Sequence, residues 1–525
     1  MTIESVPARP RPVVATVDPT LVRRLTADVI GSESTCCHTP FTGERLADLP
    51  AATVEEVTVA RDRARTAQAA WAARSPRERA AVLLRFHDLL LNRQDEVLDL
   101  VQLETGKSRL HAHEEVQSVA LAARHYGRRA PAHLRPRRHS GAVPGLTTAV
   151  EHRRPRGVVG IIAPWNYPLE LTVGDALPAL VAGNAVLMKP DTETALTALW
   201  ARRLLIEAGL PPAVWQIVLG TGPVVGPAVI AVVDHLSFTG STRTGRQVAR
   251  AAGDRLIGVD LELGGKNPML VLDDADPDRA AEGAVRACFT SAGQLCVSIE
   301  RLLVHERIAD AFLDRFLART AALRMGPGLD WDIDLGSLSS RAQLDVVTRH
   351  VTDAVAGGAR ILTGGRPRPD LGPWFHEPTV LEGVTPGMEM HAEETFGPVV
   401  AVHRFADDEE ALRLADAGPY GLNASVWSRD ICRAGAIAAR LRTGTVNINE
   451  GYGAAYGSVR APMGGMGDSG IGRRHGAEGL LRFTEAQTVA RQRLLPLGPA
   501  LGMDNRAHAA LMTRALRVMK RIGMS

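Results

Sequence analysis

The sequence predicts an α/β protein centred on a Rossmann-like, doubly wound parallel sheet joined to a second α/β unit. Three observations carry that expectation. From Gly157 onward, short apolar runs alternate with helical patterns of about ten residues or more, the mark of βαβ crossovers rather than hairpins. The runs at 158–163 and 185–188 are almost wholly apolar, as strands covered on both faces require. Aromatics make up only 4% of the chain, which favours close helix-on-sheet packing over a platform for stacking bases. At 525 residues a single core would be too large, and two or three domains are expected.

Taken in order, Cys36 and Cys37 sit in an expected loop before Pro40–Phe41–Thr42–Gly43 and read as two small residues rather than a redox pair. Residues 53–126 place Ala, Leu and Val at three- and four-residue steps among charged residues and are expected to be helical. Residues 124–139 are strongly basic. With no aromatic side chains between Arg128 and Arg138, they read as a solvated face or a subunit contact rather than a nucleic-acid surface. Strands are expected over 158–163, 185–189, 215–219, 235–239 and 257–261, with helices over 168–181, 194–208, after Pro223, and over 242–252. A second alternating region begins after Asp276, with a helix over 279–289, a strand over 301–304 and a helix over 308–323, and continues to about Val446. Residues 461–472 are rich in Gly, Met and Ser and are expected to serve backbone flexibility rather than core. The tail from Arg506 to Ile522 sets Leu511, Met512, Leu516, Val518 and Met519 among Arg514, Arg517, Lys520 and Arg521. A helix packed on a neighbouring subunit is the favoured reading there, and a helix lying on a membrane surface the lesser one.

Composition narrows the function classes. A formal charge of +3 is too small for a dedicated nucleic-acid binder. Five cysteines without disulfide or zinc spacing point to a reducing cytoplasm and no metal site. The Pro- and Arg-rich N-terminus lacks the apolar stretch of a secretory signal. No run reaches the roughly 18 apolar residues of a membrane span, since the longest, 176–188, is broken by Pro178 and Gly183.

Chemistry-bearing residues fall at the ends of the expected strands, where doubly wound sheets bind ligands. Cys296 lies in Gln294–Leu295–Cys296; a thiol becomes a useful nucleophile only in an activating surround. Glu262 opens ELGGKNP and could serve as a base, and Asn166 in APWNYP offers an amide donor for an oxyanion. In FTGSTRTG, Gly240, Ser241 and Gly245 stand between strand and helix, where free N–H groups could meet a phosphate, although a glycine-capped turn fits as well. Lys189–Pro190–Asp191–Thr192 ends another strand, with Lys189 either a phosphate or ribose partner or a surface lysine. Cys288, inside a helical pattern, reads as a small core residue.

APWNYP, KPDT, FTGST, ELGGKNP, GQLC and EETFGPV occur in that order, and in this the chain resembles the aldehyde dehydrogenase superfamily from about residue 40 to 490. The resemblance implies a cofactor-binding domain over 1–140 and 157–262, a catalytic domain over 263–445, and oligomerisation segments and tail over 141–156 and 446–525. Homodimers or homotetramers are implied. It also implies that Cys296 attacks an aldehyde, that Asn166 and the Cys296 N–H hold the oxyanion, and that Glu262 activates water to release an acid. Trp165, Asn166, Lys189, Pro190, Asp191, Thr192, Gly240, Ser241, Gly245, Leu263, Glu394 and Phe396 would bind the nicotinamide dinucleotide. Members that prefer NAD usually carry Glu where this chain has Thr192; a Thr there removes a charge that would repel a 2′-phosphate, adds a donor and leaves Lys189 to pair with that phosphate, so NADP is expected, with NAD still possible. Arg474 replaces a Glu thought to relay protons, leaving that role empty unless Glu478 fills it. The sequence is most similar to the NADP-dependent succinate-semialdehyde dehydrogenase branch. Yet the two positions that carry carboxylate-binding arginines in that branch hold Gly174 and Thr290, which would also suit an apolar or aromatic aldehyde. A non-catalytic binding protein on the same fold is the alternative of another class, disfavoured by Cys296, Glu262 and Asn166 together.

Overall fold

The computed structural model describes residues 16–140, 147–492, 498–499 and 502–523. The N-terminal Pro- and Arg-rich segment and residues 141–146 of the expected oligomerisation segment lie outside them. The centre is a six-stranded sheet. It contains β1 (Val158–Ile162), β2 (Ala185–Lys189), β3 (Trp215–Ile217), β4 (His235–Thr239) and β5 (Gly258–Glu262). The spatial order is β3-β2-β1-β4-β5, all parallel, with Gly470–Ile471 added antiparallel at the edge beside β5. Sequence neighbours run outward from β1 in both directions, so the strand order reverses between β1 and β4. Such a switch point opens a crevice above the strands' carboxyl ends.

β1 to β4 are almost entirely buried because helices cover both faces of the sheet, and polar side chains of β4 are paired inside it, His235 with Asp260 and Ser237 with Asp175. Pro168–Ala182 and Ala195–Glu207 are buried along nearly their whole length. The expected helical region 53–126 is four helices, Val54–Ala73, Pro76–Asn92, Gln94–Thr105 and Arg109–His133. The first two open with reciprocal capping boxes, Thr53 with Glu56 and Ser75 with Glu78, which satisfy free N–H groups and fix where each helix starts.

A second sheet has seven strands: β6 (Asn267–Val271), β7 (Ile299–His305), β8 (Arg360–Thr363), β9 (Thr379–Glu382), β10 (Val399–Phe405), β11 (Asn423–Trp427) and β12 (Thr445–Ile448). Their order is β8-β9-β10-β7-β6-β11-β12, parallel except for the β8–β9 pair. A separate three-stranded antiparallel sheet joins Arg137–Ser140, Thr147–Pro155 and Thr484–Gln492.

Two expectations need correction, at Cys36–Cys37 and at the glycine-rich segment 461–472. Cys36 and Cys37 lie in the strand Glu33–His38, paired with Arg45–Ala51, so they point to opposite faces, Cys37 buried and Cys36 half-buried. Part of the basic stretch belongs to the Arg109–His133 helix and part to the exposed strand Arg137–Ser140. The glycine-rich segment 461–472 does more than flex, since it supplies the edge strand against β5. Gly470 has φ +145°, and a Cβ there would collide with the Leu261 carbonyl, so only glycine allows the strand to approach Glu262 this closely.

Candidate active site

The loops after β1, β4 and β5 meet the loop before β7 around a cavity of about 240 Å³. It is lined by Trp165, Asn166, Glu262, Leu263, Cys296, Glu394 and Phe396, together with Thr239, Gly240 and Ser241. Asn166, Ser241 and Glu262 are brought together because β1, β4 and β5 are parallel and end on one side of the first sheet, while Cys296 and Glu394 reach the same cavity from loops that precede strands β7 and β10 of the second.

Cys296 sits at the end of a strained approach. Ser291 (φ 52°) and Ala292 (φ 55°) are left-handed although neither is glycine. Strain of this kind persists only where neighbours over-determine it. Here Ser291 N donates to His111 Nδ1 (3.1 Å), Ser291 Oγ shares a hydrogen bond with Tyr167 Oη (2.9 Å), and Ser339 N donates to Gln294 Oε1 (2.9 Å). Asn267 Nδ2 donates to the carbonyls of Cys296 and Ser298, each at 2.8 Å. The thiol's surround is mostly apolar, formed by Ala163, Tyr167, Leu171, Leu295, Val297, Tyr452 and Met463. Burial, reinforced by the carboxylates of Glu394 and Glu262, pushes the Cys296 thiol up to about 12, so at neutral pH it is protonated and needs a base.

Glu262 ends β5, is buried, and leaves Oε1 without a hydrogen-bond partner. Burial raises its carboxyl to about 7, against the opposing pull of Arg474 and Arg482, which is the range a general base needs at neutral pH. Arg474 Nη2 donates to Thr239 Oγ1 and to Asp175 Oδ2, both at 2.7 Å. Thr239 is the β4 residue that pairs with Glu262 across the sheet, so the guanidinium is held beside the carboxylate. Burial would raise Asp175 as well, but Arg474 and Arg482 outweigh it and hold Asp175 at about 2. Glu478, the expected substitute carboxylate, is exposed on the short Gly476–Leu481 helix and does not join this group. The buried carboxylate that does is Glu170, raised to about 7 by burial, with Oε2 unpartnered. Its Oε1 stands 3.2 Å from where a Gly174 Cβ would be.

Asn166 Nδ2 donates to Gln294 O at 3.1 Å, which leaves its second N–H for a ligand. The backbone at Asn166 is fixed from beneath. Lys107 Nζ donates to Asn166 O (2.7 Å) and to Glu115 Oε1 (2.6 Å), and Glu115 Oε2 accepts the N–H groups of Leu169 and Glu170 at the start of the Pro168–Ala182 helix. Lys107 and Glu115 escaped the sequence reading because nothing local distinguishes a buried, paired Lys from a surface one.

On the far wall Glu394 Oε1 accepts the Gly265 N–H (2.9 Å), and burial beside Glu300 raises Glu394 to about 8. Phe396 (φ 53°) meets Trp165 edge to face, with ring centroids 5.6 Å apart. Glu300, paired with Lys266 at 2.6 Å, accepts the N–H groups of Thr395 and Phe396, and Gln343 Nε2 donates to their carbonyls. Glu300 and Gln343 were also missed, for the same reason.

Five expected cofactor residues do not line this cavity. Gly245 lies beneath it, where a Cβ would overlap Leu263, so its role is to let the Thr242–Asp254 helix approach β5. Lys189, Pro190, Asp191 and Thr192 lie at the end of β2, adjacent to β1. The Thr192 hydroxyl donates to Gly220 O (2.9 Å), so it is not the free donor expected. Glu193 is turned away and accepts the His38 N–H at 2.9 Å. Buried Lys189 donates to the Pro190 carbonyl (2.9 Å), with Asp191 as the nearby acid. Thr290 does not face the cavity either. It accepts from Tyr452 Oη (3.1 Å) and borders a separate cavity of about 470 Å³ with Arg286 and Glu450.

A dinucleotide fits this arrangement. The Thr242–Asp254 helix points its N-terminus at the cavity through Ser241, offering N–H groups to a phosphate. Gly264 lies so close to Glu394 that a Cβ would displace the carboxylate.

Comparison with known proteins bears on the same residues. The aldehyde dehydrogenase family model matches residues 30–489. A Mycolicibacterium smegmatis protein named "Putative succinate-semialdehyde dehydrogenase", specified for NADP(+), is 48% identical over 92% of this chain and 93% of its own length. A Mycobacterium tuberculosis H37Rv protein with the same designation, numbered 2, is 50% identical over 88% and 89%. The crystal structure of succinate-semialdehyde dehydrogenase from Burkholderia pseudomallei superposes with a TM-score of 0.85 at 34% identity, covering 90% of this chain and 99% of that one.

Proposed function

The chain belongs to the aldehyde dehydrogenase family, and from that premise we propose that it oxidises succinate semialdehyde to succinate with NADP. The observation that carries the chemistry is the meeting of Cys296, Glu262 and Asn166 on one cavity with Glu394 and Phe396. The substrate and cofactor rest on the relatives of about half-identical sequence that bear that name.

On this reading Glu262 takes the proton of the Cys296 thiol, and the thiolate adds to the aldehyde carbon. The oxyanion is held by the free Asn166 N–H and the Cys296 backbone N–H, each such donor contributing about 3 kcal/mol to the transition state. NADP supplies the acceptor for the hydride that leaves the carbon, which remains as a thioester on Cys296. Glu262, having released its first proton to solvent, then takes one from water. Hydroxide adds to the thioester carbon, and the acid departs as the C–S bond breaks. Trp165, Gly240, Ser241, Leu263, Glu394 and Phe396 would hold the nicotinamide half. Lys189, with Pro190, Asp191 and Thr192, would meet the adenosine ribose. The absence of Glu at 192 and the outward turn of Glu193 support room for a 2′-phosphate.

Domain limits of 1–140 with 157–262, 263–445, and 141–156 with 446–525 follow from the same reading. So do a cytoplasmic location and assembly of two or four copies through the strand that holds Thr147 to Arg154 and the segment after Arg482. One feature favours a second substrate class: the collar of Leu171, Leu295, Val297, Tyr452 and Met463 around Cys296 suits an apolar or aromatic aldehyde. Steady-state rates at the reduced nicotinamide absorbance, for succinate semialdehyde against medium-chain and aromatic aldehydes with NADP and NAD in parallel, decide between them. A kcat/KM highest for succinate semialdehyde with NADP supports the proposal. A preference for apolar aldehydes overturns the substrate and leaves the chemistry standing.

A further inference from the structure

The Asn505–Arg521 helix buries none of its residues. At 3.6 residues per turn, Leu511, Ala515, Val518, Met519 and Ile522 recur at i, i+4, i+7, i+8 and i+11 and form one stripe, flanked by Met512 and Leu516. Leu511, Leu516, Val518 and Ile522 are each more than half exposed. The opposite face carries Arg506, Arg514, Arg517, Lys520 and Arg521, with no acidic residue between 505 and 523. None of these five cations has an ion-pair partner among the described residues. Without them the 61 Lys and Arg of the chain would fall below its 58 Asp and Glu, so the chain's positive excess resides in this one helix.

We propose that this helix docks the enzyme on an anionic lipid surface, lying in the plane of the interface with its apolar stripe in the acyl boundary and its cations among the headgroup phosphates. An apolar stripe contiguous from 511 to 522, low overall hydropathy and a polar face with basic but no acidic residues are the properties of interfacial helices. Crossing the bilayer is excluded for this element, since no helix among the described residues is long and apolar enough to span a membrane. Charge decides between occupants of the stripe. A second copy of the helix would bring its own five cations close to these, whereas an anionic bilayer presents opposite charge to each, worth about 1 kcal/mol per Lys or Arg near the surface.

The test is flotation of the full chain with phosphatidylcholine vesicles and with vesicles containing about 30% phosphatidylserine, a strongly anionic surface. Binding to the anionic vesicles alone is expected, weakened at least about tenfold in roughly 0.5 M salt, where screening is strong. Val518→Glu, which places a charge in the stripe, should weaken it at least about tenfold as well, with turnover in the absence of vesicles unchanged. Recovery of the full chain in the lipid-free fraction with both vesicle types overturns the proposal. So does a Val518→Glu protein that still floats but has lost its oligomeric state by light scattering, because the stripe would then be an interface between copies.

Discussion

The reactivity of Glu262 is set by burial, which raises its carboxyl, and by the Arg474 guanidinium, which opposes that rise. Arg474 is anchored by Thr239 and Asp175 and opposes the burial that lifts Glu262 to about 7. A carboxyl with a raised pKa is protonated below that value and cannot accept a proton, so thioester hydrolysis should rise with pH through about 7 and level off above it. Removing a nearby opposite charge shifts a carboxyl by roughly one to three units. Arg474→Gln should therefore move this limb alkaline by at least about one unit in the pH profile of kcat, with a smaller change at pH 9. An unmoved limb would show that Arg474 acts only on the fold. Asn166→Ala removes one oxyanion donor and should lower kcat by about 100- to 1,000-fold with KM little changed, measured in the same assay.

At the scale of elements, the loop from Thr290 to Cys296 is held by contacts on every side, and Gly293 (φ +71°) packs so that a Cβ would run into the Gly397 carbonyl. Gly293→Ala should destabilise the protein by about 3 kcal/mol or more, seen as a lowered midpoint in denaturant. Glu300 organises the neighbouring Thr395–Phe396 turn from a buried ion pair with Lys266. Glu300→Gln should loosen that turn and raise the KM for cofactor several-fold.

These elements also mark what was legible in the sequence. Strands β2 and β4 were readable to the residue, because each lies between helical patterns and gives way to a turn, after Lys189 into Pro190–Asp191 and after Thr239 into Gly240–Ser241. Cys296, Asn166 and Glu262 were readable because each sits at a strand or loop end with an ordered motif around it. Lys107, Glu115, Glu300 and Gln343 were not. Each acts through hydrogen bonds to backbone atoms distant in sequence, and a backbone partner leaves no mark on composition or periodicity. The Thr192 hydroxyl was misjudged for the same reason: its acceptor is the Gly220 carbonyl.

At the scale of the molecule, two sheets with separate cores bring their facing loops to one cavity. The first contributes Asn166 and Glu262, and the loop before β7 contributes Cys296. That division places nucleophile and base on different sheets, so either can be altered without dismantling the other. The central claim, a covalent route through Cys296 released by Glu262, is tested most directly in Glu262→Gln. This variant is mixed rapidly with succinate semialdehyde and NADP, followed at the reduced nicotinamide absorbance, and then quenched for mass spectrometry of the Cys296 peptide. With both proton transfers to Glu262 removed, the account predicts NADPH formation slowed at thiol activation, quickened by raising the pH, and stopping near one equivalent per subunit with a succinyl group on Cys296. Sustained turnover at the wild-type rate, or NADPH formed with Cys296 unmodified throughout, would contradict it.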